Sequence, residues 1–266
     1  MKTQPLNLIY FSPTGTTKKI LETIGENLNI NNIKDYNITK FSETYNFPDN
    51  SENAVTIIGS PVYGGRIPVD AVKRLGQFKT DNSPAILVVV YGNRAYEDSL
   101  RELRDIAIQN GFKIIGAAAF IGEHSYSTAK TLLAEGRPDK ADLSLAKKFA
   151  FNLNNKLNKL TSLDNIESLK IPGNYPYKEK GIAPVISPDT KESICTLCKT
   201  CEMVCPTNAV TVADSVITDK ILCIWCSACI KSCPENARFF DSPVIDKITK
   251  KLVNLCSEYR EPEFFF

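Results

Sequence analysis

Residues 195–234 contain Cys195, Cys198, Cys201 and Cys205-Pro206, followed by Cys223, Cys226, Cys229 and Cys233-Pro234. Eight of the nine cysteines lie here, in two copies offset by 28 residues that also share Asn208/Asn236 and Ala209/Ala237. The spacing is C-x2-C-x2-C-x3-C-P twice over, which surrounds a cubane [4Fe-4S] cluster with three thiolates from one run and a distant fourth. Two-residue intervals turn three soft thiolates inward on one tight turn, and the proline then directs the chain away. Structural zinc needs only paired C-x2-C knuckles and leaves the third cysteine and the C-P of each run without a purpose. A disulfide scaffold needs an oxidising compartment. The opening Met1-Lys2-Thr3-Gln4-Pro5 has no signal-peptide pattern, so a cytoplasmic setting is expected.

This stretch resembles the two-cluster bacterial ferredoxins. The resemblance implies Cys195, Cys198, Cys201 and Cys233 on one cluster, and Cys223, Cys226, Cys229 and Cys205 on the other. Such proteins often place glycine in the second run, where this chain has Trp225 and Ser227. That departure bears on solvent access and cluster potential rather than on ligation.

A chain of 266 residues, 43% hydrophobic and 23% charged, has room for one large and one small domain, and none of its apolar runs reaches membrane-spanning length. A net charge of +2 speaks against a nucleic-acid or membrane partner. Residues 1–187 carry 23 Lys+Arg against 19 Asp+Glu, whereas 188–266 carry 9 against 11, a modest asymmetry that favours docking of one part on the other.

Residues 6–11 are a short apolar run, read as a buried strand. Ser12, Thr14, Gly15, Thr16 and Thr17 follow, and then a helix with Ile20, Leu21, Ile24 and Leu28 on one face. Strand, hydroxyl-rich turn and helix together make a phosphate site, because backbone N–H groups at the helix start point at the anion. The same residues also read as a simple helix cap. Further strands are expected at 54–59, 85–91 and 112–121, with a weaker one at 33–38, and helices between them. Strands alternating with helices imply a parallel sheet that binds ligands at its carboxyl ends.

Over roughly its first 160 residues the chain resembles a flavodoxin, an α/β fold with a doubly wound, five-stranded parallel sheet. Its phosphate-loop pattern is met by Ser12, Thr14, Gly15 and Thr17. The resemblance implies FMN, with its ring held by Ser60, Pro61, Val62, Tyr63, Gly64 and Gly65 on one side and by Tyr91, Gly92, Asn93, Arg94 and Tyr96 on the other. Tyr63 and Tyr96 are the candidates for stacking, and Gly64-Gly65 for backbone approach to the ring. Arg66 and Arg94 lie either on the pyrimidine edge of the flavin or in solvent. His124, the only histidine, is either a hydrogen-bonded loop residue or a ring contact and proton relay.

The expected organisation is an FMN-binding domain over 1–160, an extended linker over 161–187, and an α+β two-cluster ferredoxin-like domain over 188–266. The last helix of the first domain is expected within 137–160. Ile171, Tyr175, Tyr177, Ile182, Val185 and Ile186 make the linker too apolar for a free tether, so it is expected to lie pinned on the first domain. A final amphipathic helix is expected over 244–259, with Cys256 as buried packing. The Phe264–Phe266 tail reads either as loose or as a plug in a groove.

The whole arrangement resembles the flavodoxin–ferredoxin fusion proteins of anaerobic bacteria and archaea. It implies an electron carrier between soluble redox partners. Two alternatives stand beside it: a reductase of an organic substrate fed by the clusters, and a subunit of a larger redox complex. No Gly-x-Gly-x-x-Gly nicotinamide fingerprint is present in the sequence.

Overall fold

Five apolar runs of the first 121 residues line up as parallel strands. The computed structural model describes residues 5–42, 44, 45, 47, 54–160, 162, 163, 166, 168–181 and 184–266. The strands are β1 (Leu6–Tyr10), β2 (Ile33–Asn37), β3 (Val55–Pro61), β4 (Pro84–Tyr91) and β5 (Lys113–Ile121). The helices among and after them are α1 (Thr16–Glu26), α2 (Val69–Leu75), α3 (Ser99–Gln109) and α4 (Lys140–Lys159). The spatial order 2-1-3-4-5 is the flavodoxin-like doubly wound order. Period-2 alternation divides the core. Ile9, Ile58, Leu87 and Ala119 pack against α2 and α3, while Leu8, Ile57, Val88 and Phe120 pack against α1 and α4. β2 lies at the sheet edge and is mostly exposed, which explains its weak apolar signal.

After residue 188 the elements shorten to β6 (Asp189–Thr190), α5 (Thr200–Met203), β7 (Val210–Val212), β8 (Val216–Thr218), α6 (Ala228–Lys231) and β9 (Arg238–Phe239). β6 pairs with β9 and β7 with β8, both antiparallel. The sequence repeat is a structural repeat. Left-handed backbone occurs at Leu197 and Trp225 (φ 51° and 56°), at Lys199 and Ser227 (61° and 60°), and at Asn208 and Asn236 (54° and 52°). Trp225 and Ser227 therefore replace glycine where its freedom at positive φ is most useful. The fold keeps that backbone in both copies whatever side chain it carries.

The chain then forms α7 (Pro243–Leu255) and β10 (Glu263–Phe265). β10 pairs antiparallel with β5, so the five parallel strands gain a sixth drawn from the end of the chain. Phe264 stacks on Phe149 of α4 at 5.0 Å between ring centroids, and Phe266 lies 5.3 Å from the same ring. The phenylalanine tail is neither loose nor a plug. It covers an edge whose N–H and C=O groups would otherwise be open to other chains.

Residues 169–178 are held along the first domain, whereas Ile186 O accepts from Trp225 of the cysteine-rich part at 2.9 Å. Leu169 and Ile171 enter the core of the first domain. Asp98 accepts from the backbone N–H groups of Asn174 and Lys178, both at 2.7 Å, and Tyr177 donates to Asp105 at 2.6 Å. Ile182 lies outside the described residues. Among the described residues no helix is long and apolar enough to cross a membrane.

Candidate functional site

The loop between β1 and α1 turns on Gly15, at φ 82°, where an added Cβ would meet open space. Ser12 Oγ accepts the N–H of Lys18 at 3.0 Å, and the Ser12 N–H donates to Thr39 Oγ1 at 2.8 Å. Part of the loop is thus a helix cap, and Thr39 is a support that sequence patterns did not reveal. A cap does not explain Thr17. Its hydroxyl is buried at the head of α1 without a hydrogen-bond partner, as a phosphate-binding side chain is before its anion arrives.

Beyond β3, Tyr63-Gly64-Gly65-Arg66 closes on itself. The Tyr63 N–H donates to Arg66 O at 2.9 Å and the Arg66 N–H to Tyr63 O at 3.2 Å. Gly64 and Gly65 have φ of 62° and 87°, the pair of positive angles that a type I′ turn requires. A Cβ on Gly65 would strike Glu97, so this turn packs tightly against the loop after β4.

The loops after β3 and β4 correct two expectations. Tyr96 does not lie open for stacking. It is buried, 5.4 Å from the Tyr91 ring, and its hydroxyl donates to Glu263 of β10 at 2.9 Å. The returning strand supplies both an acceptor and a core slot, and those decide the ring's position. Arg66 is neither in solvent nor free for a ligand. It pairs with Glu102 of α3 at 2.7 Å and lies 4.6 Å from the Tyr177 ring centroid. Arg94 pairs with Glu97 at 2.5 Å. Asn93, at φ 63°, donates to the carbonyls of Cys256 and Glu258, both at 2.8 Å. It fixes the loop to the end of α7, while its own Oδ1 stays buried without a partner. Cys256 is buried and donates to Gly92 O at 3.2 Å.

His124 follows β5. Its Nδ1 accepts the Tyr126 N–H at 3.1 Å, and its ring occupies the place that a Cβ on Gly92 would take. Burial, with Arg94 and Lys231 nearby, lowers its pKa to about 4. It is therefore neutral at physiological pH, with the proton assigned to Nε2 by the bond that Nδ1 accepts.

The eight cysteines sort into two cavities. One is lined by Cys195, Cys198, Cys201 and Cys233. The other is lined by Cys205, Cys223, Cys226 and Cys229. The fourth cysteine of each run thus faces the other run's cavity. The repeat also extends to the sulfurs: the Ala209 N–H donates to Cys205 Sγ, and the Ala237 N–H to Cys233 Sγ, each at 3.2 Å. Among the described residues no three His, Cys, Asp or Glu side chains converge on a single-ion position. Four thiols from two runs line each site, and this donor set fits a cubane.

The two cavities differ in setting. Cys198 is exposed, whereas Cys226 and Cys229 are buried. Burial raises the Cys223 thiol to about 11 and Cys226 further. The second cavity stands against the carboxyl-end loops. Its lining residue Ile224 packs on the core beneath the sheet. Burial, then Cys226, then Tyr126 raise the Tyr63 phenol; burial, then Cys226, then Cys223 raise that of Tyr126. Lys231 of α6 reaches Glu123 at 2.5 Å and Ser127 O at 2.8 Å. Phe240 meets Tyr126 edge-on at 5.8 Å. Ile224 thus joins the site through tertiary contact, with no motif to announce it.

Residues 189–211 match the family described as 4Fe-4S binding domain, which covers the first cysteine run. No curated protein matches the chain. Solved structures similar to it include a flavodoxin from the domain Archaea, at 13% identity over 58% of this chain and 99% of that one, with a TM-score of 0.39. The flavodoxin of Fusobacterium nucleatum bound to flavin mononucleotide is similar at 20% identity over 59% and 98%, TM-score 0.39. The rubredoxin oxygen:oxidoreductase of the anaerobe Desulfovibrio gigas is similar at 16% identity over 59% and 38%, TM-score 0.41. At such scores the strand order, not the likeness, carries the fold assignment. The chain joins a flavodoxin-like sheet to a 4Fe-4S binding segment, a combination suited to electron transfer.

Proposed function

We propose that this protein passes electrons between soluble redox partners in the cytoplasm, with FMN at the carboxyl ends of β1, β3 and β4 and two [4Fe-4S] clusters in the cysteine-lined cavities. One observation carries the reading. The cavity of Cys205, Cys223, Cys226 and Cys229 lies against the flavodoxin-like part: its lining residue Ile224 packs on the core there and its lining residue Pro206 accepts from Arg74 of α2 at 2.7 Å, while Cys198 of the other cavity is exposed. Three of the four cysteines of this cavity are buried against one of the other cavity's, which suits an inner and an outer relay.

When bound, FMN exchanges electrons in pairs or singly, and each cubane takes one. The chain's part is to hold and insulate these groups. Thr17 Oγ1, the loop of Ser12, Thr14, Gly15 and Thr16, and the start of α1 would hold the phosphate. The Gly64-Gly65 turn and Tyr63 would meet the ring, and the two crossed cysteine sets would hold the clusters. The reductase alternative needs a proton donor near the ring. The candidates are His124, which is neutral, and Tyr63 and Tyr126, whose phenol pKa burial raises; all three are weak acids, which favours the carrier reading.

Anaerobic reconstitution tests this. The expected content is about eight iron and eight sulfide per chain, with one FMN. Cys226→Ser and Cys198→Ser should each cost one cluster, and only Cys226→Ser should stop exchange between the flavin and the remaining cluster. Zinc, iron near half the expected content, or FAD in place of FMN would overturn the reading.

A further inference from the structure

The two cysteine runs are copies, so each position in one has a counterpart 28 residues away in the other. The counterpart of Val210 is Arg238. Val210 is an apolar packing residue, 4% exposed, beside Cys201, Cys205 and Cys229. Arg238 is 3% exposed, so a permanent positive charge is buried where the repeat otherwise places a hydrocarbon. Burying an unpaired guanidinium costs several kcal/mol unless something negative meets it.

Among the described residues no carboxylate does. Nη1 donates to Thr190 Oγ1 at 2.5 Å, and Nη2 to Thr218 Oγ1 at 2.7 Å. These hydroxyls orient the fork but carry no charge. Nη2 also lies 3.9 Å from Cys229 Sγ, in the second set. The side chain itself lines the cavity of the first set, and its Nε is buried without a partner. The guanidinium thus touches a thiol of the second set while the side chain lines the cavity of the first.

We infer that Arg238 is a positioning residue for charge, a fixed cation shared by both cluster sites, which raises the reduction potential of both and donates Nε–H toward the group held by Cys195, Cys198, Cys201 and Cys233. The inference rests on the two-cluster reading above. Reduction adds one electron to a cluster and makes or breaks no bond. The added negative charge meets a guanidinium charge already in place. A valine there would leave each reduced cluster to face the other without that compensation.

The test is a dithionite redox titration of the reconstituted full chain, followed by low-temperature EPR with iron and flavin counts. Arg238→Val restores the symmetry of the repeat and should keep both clusters and FMN. Both cluster midpoints should move negative, with the reduction equilibrium of the first set changing at least tenfold, about 59 mV for a one-electron couple. Arg238→Lys, which keeps the charge but not the fork, should recover most of the shift. Fully loaded Arg238→Val with less than a twofold change, about 18 mV on the same scale, overturns the inference. Should Arg238→Val fail to hold iron, Thr218→Val carries the test by loosening the fork alone. A negative shift there supports the inference and unchanged midpoints overturn it. A wild-type protein with one cluster or zinc would instead overturn the two-cluster reading itself.

Discussion

Arg74 and Pro206 tie the two halves of the chain together. Nη2 of Arg74 donates to the Pro206 carbonyl at 2.7 Å, while Nη1 donates to Ile38 O at 3.0 Å and to Thr39 O. The side chain is 5% exposed, and Pro206 directly follows Cys205 of the inner cavity. One buried guanidinium thus links the end of β2, α2 and the cysteine-rich region. Removing it leaves three carbonyls without their donor, and a lost bond to a charged donor costs about 1.5–3 kcal/mol. Arg74→Met should therefore loosen the docking by about 2–3 kcal/mol. The expected signs are split thermal transitions and faster proteolysis between the halves, with cluster content intact. A single unshifted transition would show that the docking does not depend on this residue.

Thr17 allows a test in which binding and stability move in opposite directions. Its buried hydroxyl has no partner, so Thr17→Val should leave the flavin-free protein as stable or more stable by about 1 kcal/mol. FMN affinity should fall about tenfold, equivalent to about 1.4 kcal/mol. Fluorescence titration and thermal unfolding measure the two separately. A helix-cap role alone predicts lost stability and unchanged affinity.

The returning strand can be tested through Phe264, which is half-buried between Phe120 and Phe149. Phe264→Ala should cost about 2 kcal/mol, below the range for a fully buried ring. Deleting residues 261–266 should cost more and expose the β5 edge to self-association. Thermal unfolding and light scattering report the two effects.

His124 sets one limb of the pH profile. Its pKa falls from 6.5 unfolded to about 4 folded, through burial and then Arg94 and Lys231. The unfolded chain takes up the proton first as pH falls. Stability present above pH 6.5 is therefore lost progressively toward pH 4, by on the order of 2–3 kcal/mol after solvent screening. His124→Gln should flatten that limb in a chemical-denaturation series and leave stability above pH 7 nearly unchanged. An identical slope in both proteins would refute the assignment.

The sequence by itself determined what short-range chemistry encodes. Alternating apolar runs dictated the parallel sheet, because the pleat separates two faces and each must be buried. The cysteine spacing and its repeat pointed to two thiol sets, while the matching backbone at Leu197/Trp225 and Lys199/Ser227 came only with the structure. The hydroxyl-rich turn at residues 12–17 was legible because a helix start needs those side chains locally. Only the tertiary structure decided the rest. Tyr96 lost its expected place beside a ligand because Glu263, 167 residues later, takes its hydroxyl. Arg66 was claimed by Glu102, and the phenylalanine tail became a strand because β5 offered an unpaired edge. The inner position of the Cys226 cavity depends on contacts of Arg74 with Pro206, of Ile224 with the core and of Tyr126 with Phe240. Those contacts form between segments with no shared pattern. Their energy comes from desolvation and partner geometry that exist only once the chain has folded.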